Sequence, residues 1–217
     1  MKHDQIKKIC ILAMLTALAY ALVCVVRVPV FGFLSYEPKD VIIALGGFLY
    51  GPLAALAISA IVALLEMVTI STTGWIGMLM NLLGSAAFAC SAAYVYQKRR
   101  TLGGAVAGLG IGCVLMTVSM LLFNFLITPL YMGVPRADVA AMLVPVFLPF
   151  NLLKSGLNAA LTVLLYRPLV QGLRLANLFP RGQGTPAGRR GRLAVFLGAG
   201  AVLFGCIVGF LFAKGVF

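Results

Sequence analysis

The sequence predicts an all-α integral membrane protein, and three observations favour this fold class. Hydrophobic residues make up 62% of the 217-residue chain, charged residues make up 10%, and the mean hydropathy is +1.08. Several stretches approach or exceed the roughly 20 apolar residues that a helix needs to cross a bilayer. Charged residues and most prolines fall between those stretches. A soluble domain could not bury so much apolar surface, so spanning helices are the economical explanation.

The net charge of +12 does not indicate a nucleic-acid-binding protein. The basic residues lie between apolar segments and at their ends, and no basic domain with interleaved aromatic residues is present in the sequence. This distribution is typical of topology signals and of contacts with lipid headgroups. We therefore expect the lipid bilayer as a partner and no nucleic acid.

The cysteines and the amino terminus carry no further signal for metal binding or secretion. The cysteines stand singly in apolar stretches without CxxC spacing, so neither a zinc site nor a disulfide framework is indicated. No small-residue cleavage site ends the first apolar run before Arg27, and we interpret that run as a retained first span. The cysteines are Cys10, Cys24, Cys90, Cys113 and Cys206.

The apolar window at 41–69 determines the number of segments. It contains Tyr50-Gly51-Pro52, and proline inside a helix removes a backbone donor, so the window is one kinked helix or two short ones. Cytoplasmic loops accumulate Lys and Arg. With a cytoplasmic amino terminus, a hairpin places twelve basic residues inside, four outside and Lys154 within a span. One continuous helix would instead place Lys98 to Arg100 and a basic linker outside, so the hairpin is favoured.

The hairpin interpretation gives seven membrane-embedded segments. The second is too short to span and should lie tilted or partly buried among the others. They form a six-segment substrate-binding core at 1–170, a basic flexible cytoplasmic linker at 171–192 and an extra carboxyl-terminal transmembrane helix at 193–217. The predicted segments are 6–27, 40–50, 52–69, 75–97, 103–127, 143–167 and 193–213.

Polar side chains inside spans are costly and are therefore candidate functional residues. Asn151, Lys154 and Asn158 recur at i, i+3 and i+7 on one helical face of the sixth segment. The alternative for Lys154 is that it snorkels to the outer interface. Asn124 lies between two phenylalanines, and the alternative for it is a hydrogen bond to a neighbouring helix.

Further polar groups converge on the outer side in the hairpin topology. Glu66 and Asn81 lie toward the outer ends of the third and fourth segments. Asp40 precedes an apolar helix, and we interpret it as a helix cap. The first outer loop holds Tyr36, Glu37, Lys39 and Asp40.

The residue inventory favours a binding protein and not an enzyme. The one histidine is His3, and no paired carboxylates or Ser-His pair fall within the predicted spans. We therefore expect no catalytic residue, no metal and no cofactor. A few amides, one cation and many apolar walls suit an uncharged or weakly polar ligand.

Small residues recur every four positions on three helices, a pattern that allows helices to approach closely. Internal packing is the alternative for each stripe, and the pattern alone does not identify a partner. The stripes are Ala13, Ala17 and Ala21; Gly104, Gly108 and Gly112; and Ala201, Gly205 and Gly209.

Four stretches together resemble the riboflavin-binding S component, the substrate-capture subunit, of energy-coupling-factor (ECF) vitamin transporters. The similarity covers about residues 6–170, and the order and spacing of the stretches carry it. They are Ala13-Met14-Leu15-Thr16-Ala17; Gly47-Phe48-Leu49-Tyr50-Gly51-Pro52-Leu53-Ala54; Asn124-Phe125 through Thr128-Pro129-Leu130-Tyr131; and Leu148-Pro149-Phe150-Asn151-Leu152-Leu153-Lys154.

The resemblance implies a six-helix S-component core that captures riboflavin from outside. It would deliver the vitamin through a transmembrane coupling protein and two ATPase subunits, in a bacterial inner membrane and with a cytoplasmic amino terminus. The alternatives are an S component for another vitamin or flavin analogue, a membrane scaffold or a membrane-bound enzyme. The additional carboxyl-terminal transmembrane helix lies outside the six-helix core.

The resemblance also implies roles for individual residues. Ala13, Ala17 and Ala21 on the first helix would contact the coupling protein. The ligand would lie between the outer halves of the helices, under the first outer loop. The expected ligand-binding residues are Asn124, Asn151, Lys154, Tyr36, Asn81 and Glu66.

Overall fold

The computed structural model describes residues 2–31, 34–71, 73–175 and 189–213. Within them the fold is almost entirely helical, with one short antiparallel hairpin between the first two helices. The elements are α1 (Lys2–Val25), β1 (Val28–Phe31), β2 (Leu34–Tyr36), α2 (Lys39–Tyr50), α3 (Pro52–Thr69), α4 (Gly74–Lys98), α5 (Leu102–Met132), α6 (Arg136–Met142), a π-helical turn (Leu143–Phe147), α7 (Leu148–Leu175) and α8 (Arg189–Ala213).

The helices confirm the predicted fold class of an all-α membrane protein. Five helical stretches in the described residues are long and apolar enough to cross a bilayer, and Val195–Gly209 in α8 is a shorter apolar helix. The five stretches are Gln5–Val25, Pro52–Thr69, Gly74–Lys98, Leu102–Met132 and Arg136–Tyr166.

The chain breaks at Gly51, as the hairpin interpretation predicted. Gly51 has φ 96° and ψ 176°, a conformation that is essentially restricted to glycine. A Cβ atom there would meet the side-chain amide of Gln97, which can move aside, so it is the backbone conformation that restricts this position to glycine. Pro52 then begins α3 at a position where its missing N–H is not needed.

The short helix α2 is the centre of the bundle. Its 12 residues extend about 18 Å, too short to cross a bilayer, and every residue from Lys39 to Phe48 is buried. The helix lies among α1, α3, α4 and α7. Near its end, the Phe48 ring centroid is 4.5 Å from that of Tyr96, whose hydroxyl lies 2.9 Å from the Tyr166 hydroxyl. The expectation that this segment is buried among the others is confirmed.

The glycine stripe of α5 packs inside the protein. A Cβ at Gly108 would lie 2.6 Å from the carbonyl oxygen of Ala92, and one at Gly112 would lie 2.7 Å from that of Phe88. These contacts bring α4 and α5 together at backbone distance. For this stripe, internal packing is therefore the correct alternative.

The carboxyl-terminal half contains features that the segment pattern did not predict. Helix α5 continues through Pro129 to Met132 and ends at Gly133, whose φ of 65° is left-handed. The short helix α6 and the π-helical turn then precede α7. Helix α7 continues to Leu175, so the predicted linker start at residue 171 lies inside it. Residues 176–188 of that linker lie outside the described residues, and its flexibility stays a prediction.

The two ends of the bundle differ in charge. At one end, the Lys8 ammonium lies 5.6 Å from the Tyr50 ring centroid, and Gln97 lies beside Gly51. We call this the basic end, because Lys8, Lys98, Arg99 and Arg100 lie there. At the other end, the cleft end, Arg27 donates a hydrogen bond of 2.9 Å to the carbonyl of Ile70. The α2–α3 hairpin thus turns at the end where α1 begins.

Candidate ligand-binding site

A cleft opens at the cleft end between the β-hairpin and helices α4, α5 and α7. It holds about 750 Å³ of space, its open mouth included. Its walls combine apolar and polar side chains. The larger apolar and aromatic ones are Ile76, Met80, Met120, Ile127, Tyr131 and Phe150, and the charged and amide ones are Arg27, Glu37, Asn81, Asn124, Asn151 and Lys154.

The structure brings four of the predicted ligand-binding residues together in this lining. They are Asn81 on α4, Asn124 on α5, and Asn151 and Lys154 on α7. The other two, Tyr36 and Glu66, are not part of the lining: Glu66 accepts a hydrogen bond from the lining residue Asn81, and Tyr36 donates one to Asn158, which lies outside the lining. Their roles in binding stay predictions.

Asn151 presents an unsatisfied acceptor at the cleft. Its side chain is 1% exposed, and its Nδ2 donates a 2.7 Å hydrogen bond to the carbonyl of Phe147, at the end of the π-helical turn. Its Oδ1 is buried and has no hydrogen-bond partner among the described residues. Such a group costs about 1–3 kcal/mol, so the cleft has a place for a donor.

Asn124 is held by its own helix. Its Nδ2 donates to the carbonyl of Met120 at 2.7 Å, and its Oδ1 accepts from the Thr128 hydroxyl at 3.0 Å. Both partners lie on α5, so these hydrogen bonds are within the helix and do not join Asn124 to a neighbouring helix. They fix the orientation of the amide in the cleft wall.

A buried ionic cluster joins the first loop to α3 and α4. The Lys39 ammonium lies 2.7 Å from Oε2 of Glu37 and 2.6 Å from each carboxylate oxygen of Glu66. Nε of Arg27 lies 3.3 Å from Oε1 of Glu37, and Nδ2 of Asn81 donates to Glu66 at 2.8 Å. The sequence placed Lys39 in the first outer loop, but Lys39 is the first residue of α2 and is 1% exposed.

Positive charge dominates the surroundings of Glu37. Burial raises the pKa of this carboxyl, but the charges of Lys39, Lys154 and Arg27 outweigh that effect and hold its pKa below the ordinary value. Lys154 is half-buried and lines the cleft. Arg27 also lines it, so Lys154 is not the single cation there.

Asp40 belongs to a second buried network, and its interpretation as a helix cap was wrong. The residue before α2 is Pro38, and no side chain caps that helix. The Asp40 carboxylate is 0% exposed and accepts from the Ser85 hydroxyl at 2.5 Å and from Nδ2 of Asn158 at 3.2 Å. Oδ1 of Asn158 accepts from the Tyr36 hydroxyl at 3.0 Å. This network connects the loop to α4 and α7.

The alanine stripe of α1 faces outward. Ala13, Ala17 and Ala21 are exposed, whereas Ala19 and Val23 on the other face are fully buried against the bundle. The outward side therefore presents a stripe of small residues to another helix, with Met14 and Leu18 exposed beside it.

Sequence reasoning missed Lys39, Arg27 and Glu37 as parts of the site. A signal was present for the cluster, because Glu66 is a carboxylate within a predicted span and requires a cation. The sequence does not identify the cation that pairs with Glu66.

Fold and site together define a multi-pass membrane protein with a ligand-sized cleft at one end. The chain belongs to a family within this class: residues 7–166 match the family described as ECF transporter, substrate-specific component. It is an S component.

Two curated relatives and a solved structure are similar to most of the chain. The riboflavin transporter RibU of Staphylococcus aureus (strain TCH60) is 30% identical over 82% of this chain and 95% of its own. The riboflavin transporter FmnP of Bacillus subtilis (strain 168) is 25% identical over 80% of this chain and 99% of its own. A solved S component of a bacterial ECF transporter is 26% identical, with a TM-score of 0.68 over 78% of this chain and 98% of its own.

The ionic cluster predicts a large loss of stability in Lys39→Met. Removing the ammonium leaves two carboxylates buried without their cation, which should lower the free energy of unfolding by about 3–5 kcal/mol. Thermal unfolding of the protein in detergent measures the change. Replacing Glu66 by Gln in the same variant should restore part of the loss.

Arg27→Met is the matched control. Its side chain is 33% exposed, so losing its ion pair should cost about 1 kcal/mol or less. Equal stability of Lys39→Met and Arg27→Met would contradict a central role of the cluster.

Proposed function

We propose that the chain captures riboflavin from outside the cell and passes it to an ECF transporter. The cleft carries the proposal, because apolar walls and fixed amides from three helices converge in it. The names of both curated relatives support riboflavin as the ligand. Captured vitamin would be released through a transmembrane coupling protein and two ATPase subunits.

The lining suits a flat heteroaromatic ring with a polar edge and a hydroxylated chain. Ile76, Met80, Ile127 and Phe150 offer apolar contact to the ring faces. The Oδ1 of Asn151 would accept a hydrogen bond from a ligand N–H or O–H. Lys154 and Asn81 would bond acceptor oxygens of the ligand. Such polar contacts orient a ligand whose affinity comes mainly from the apolar walls.

The first loop would cover the bound vitamin. Leu34, Ser35 and Glu37 line the cleft from the loop side. Tyr36 and Glu66 would act indirectly: Tyr36 bonds Asn158 on α7, and Glu66 holds Asn81. Glu66 would therefore support a residue that contacts the ligand, and Tyr36 would anchor the loop to α7.

The energising module would dock against α1. Ala13, Ala17 and Ala21 give that helix an exposed stripe of small side chains, which suits a close approach by a helix of the coupling protein. The sequence contains no GxxxxGK[ST] motif, so ATP hydrolysis is assigned to the partners.

We assign a cytoplasmic amino terminus and a bacterial inner membrane, with the basic end inside. Twelve of the 17 Lys and Arg residues then lie on the cytoplasmic side. In a variant without native cysteines, a cysteine at Arg136 should react with an impermeant thiol reagent applied to intact cells. Cysteines at Arg100 and Gly184 should be protected, and labelling of Arg100→Cys from outside would reverse the assignment.

The cleft predicts weaker riboflavin binding in Asn151→Ala and Lys154→Met. Each change leaves a polar ligand atom without its partner, which should cost about 1–3 kcal/mol, or roughly tenfold to a hundredfold in affinity. Lys154→Met retains most of the side-chain length and removes the charge. Titration of the purified variants by quenching of flavin fluorescence measures the affinity.

Lys98→Met provides the matched control for Lys154→Met. It makes the same chemical change at the basic end, where Lys98 lies 4.4 Å from the Tyr94 ring centroid. Its affinity for riboflavin should equal that of the unmodified protein. Wild-type affinity in Lys154→Met would instead identify Lys154 as a residue that snorkels to the interface.

The α1 face predicts that Ala17→Trp separates binding from transport. The indole would prevent a partner helix from approaching, so uptake by cells should be lost while the purified chain keeps its affinity for riboflavin. Ala107→Trp places the same group at an exposed alanine of α5 and should retain uptake. Loss of riboflavin binding in Ala17→Trp would show that the stripe packs internally.

A further inference from the structure

A second, wholly apolar groove lies at the basic end, between α5, α7 and α8. It encloses about 670 Å³, its open side included, and only Val, Leu, Ala and Gly residues line it. Val106 and Val202, at 38% and 49% exposure, are the lining residues with large exposed side chains. The groove is separate from the riboflavin cleft in both position and chemistry.

Small residues keep the groove open. Gly110 on α5 and Gly198 on α8 line it, and a Cβ at either position would meet no other atom within 4 Å. The outer part of α8 packs closely by comparison, since a Cβ at Gly209 would lie 3.1 Å from Leu153. Helix α8 thus contacts α7 near the cleft end, whereas near the basic end a space remains between α8 and helices α5 and α7.

Basic residues flank the groove on all three of its helices. Arg100 lies two residues before the first residue of α5, and the groove residue Val106 lies in the second turn of that helix. Arg167 follows the groove residue Val163 by one turn of α7. Residues 189–192 at the start of α8 include three arginines and precede its groove residue Val195.

Little negative charge balances these residues. Asp4 is the one acidic residue that the sequence places near the basic end. Arg99 and Arg100 are exposed and form no ion pair within the described residues. An occupant of this region should therefore combine an apolar body with an anionic group at the level of the basic end.

We propose that the groove binds an acyl chain of an anionic phospholipid, with the headgroup phosphate held by arginines of the basic end. A bilayer supplies such molecules at the depth of the groove, and the chain would fill apolar space that the three helices leave open. The site goes beyond riboflavin capture and assigns a role to α8, because this helix forms one wall of the groove.

The test compares two lipids with identical acyl chains on the purified full-length protein. In native mass spectrometry of detergent-solubilised protein, phosphatidylglycerol should remain bound in preference to phosphatidylcholine. Replacing Arg99 and Arg100 by Gln should reduce that preference, by about fivefold for each arginine.

Filling the groove should remove binding of both lipids. Gly110→Leu and Gly198→Leu each add a side chain to the groove, at positions where a Cβ atom would meet no other atom within 4 Å. Gly205→Leu is the matched control, because Gly205 is an exposed α8 glycine that is equally free of neighbours and lies outside the groove lining. It should bind phosphatidylglycerol like the unmodified protein.

Three results would overturn the proposal. Equal retention of phosphatidylglycerol and phosphatidylcholine would show that the site does not recognise an anionic headgroup. Full lipid retention by both Gly110→Leu and Gly198→Leu would show that the lipid binds outside the groove. Cross-linking of a cysteine at Gly198 to the coupling protein in the assembled transporter would identify a protein helix as the occupant. Riboflavin titration of the same variants should give unchanged affinity, so failure of the lipid site is distinguishable from failure of the proposed function.

Discussion

The structure at the cleft end depends on one buried ammonium group shared by two carboxylates. Lys39 begins α2, Glu37 belongs to the loop that closes the cleft, and Glu66 belongs to α3. Their contacts of 2.6 to 2.7 Å fix three parts of the chain at one point. Through Asn81, Glu66 also fixes a residue of the cleft wall on α4. The position of the loop over the cleft follows from this pairing.

A second constraint arises from the length of α2. A helix of 12 residues cannot span a bilayer, so it must be held from within the bundle. Its first turn is held by Lys39 and by Asp40, whose carboxylate accepts hydrogen bonds from α4 and α7. Its last turn is held by Phe48 against Tyr96 and Tyr166. Buried ions at one end and aromatic packing at the other fix its register, and registry is the best-attested use of buried polar groups.

The sequence predicted the main helices and their order because the signals for them are local. Apolar length identified the spans, and Gly51-Pro52 identified the hairpin. The π-helical turn before α7 was missed, since the apolar pattern predicted one uninterrupted segment over 143–167. The same turn brings the Phe147 carbonyl to the amide of Asn151.

The candidate site was predicted only in part. Some of its residues are recognisable from their neighbours in the sequence, whereas others depend on partners that are distant in the sequence. Asn124, Asn151 and Lys154 stand out as polar residues in apolar spans, and all three line the cleft. Lys39 and Asp40 appeared to be loop residues because their partners are distant: Glu66 is 27 positions from Lys39, and Asn158 is 118 from Asp40. Pairings at such separations depend on tertiary packing, which periodicity and composition do not encode.

Identification of the small molecule that co-purifies with the isolated chain tests the central claim most directly. The chain would be expressed in cells that produce riboflavin, purified in detergent without any partner subunit, and analysed by visible absorbance and mass spectrometry. The account predicts a yellow preparation that contains riboflavin in an amount equimolar with the protein, released unchanged on denaturation. A colourless preparation that also fails to bind added riboflavin, or one that converts riboflavin to another product, would contradict it.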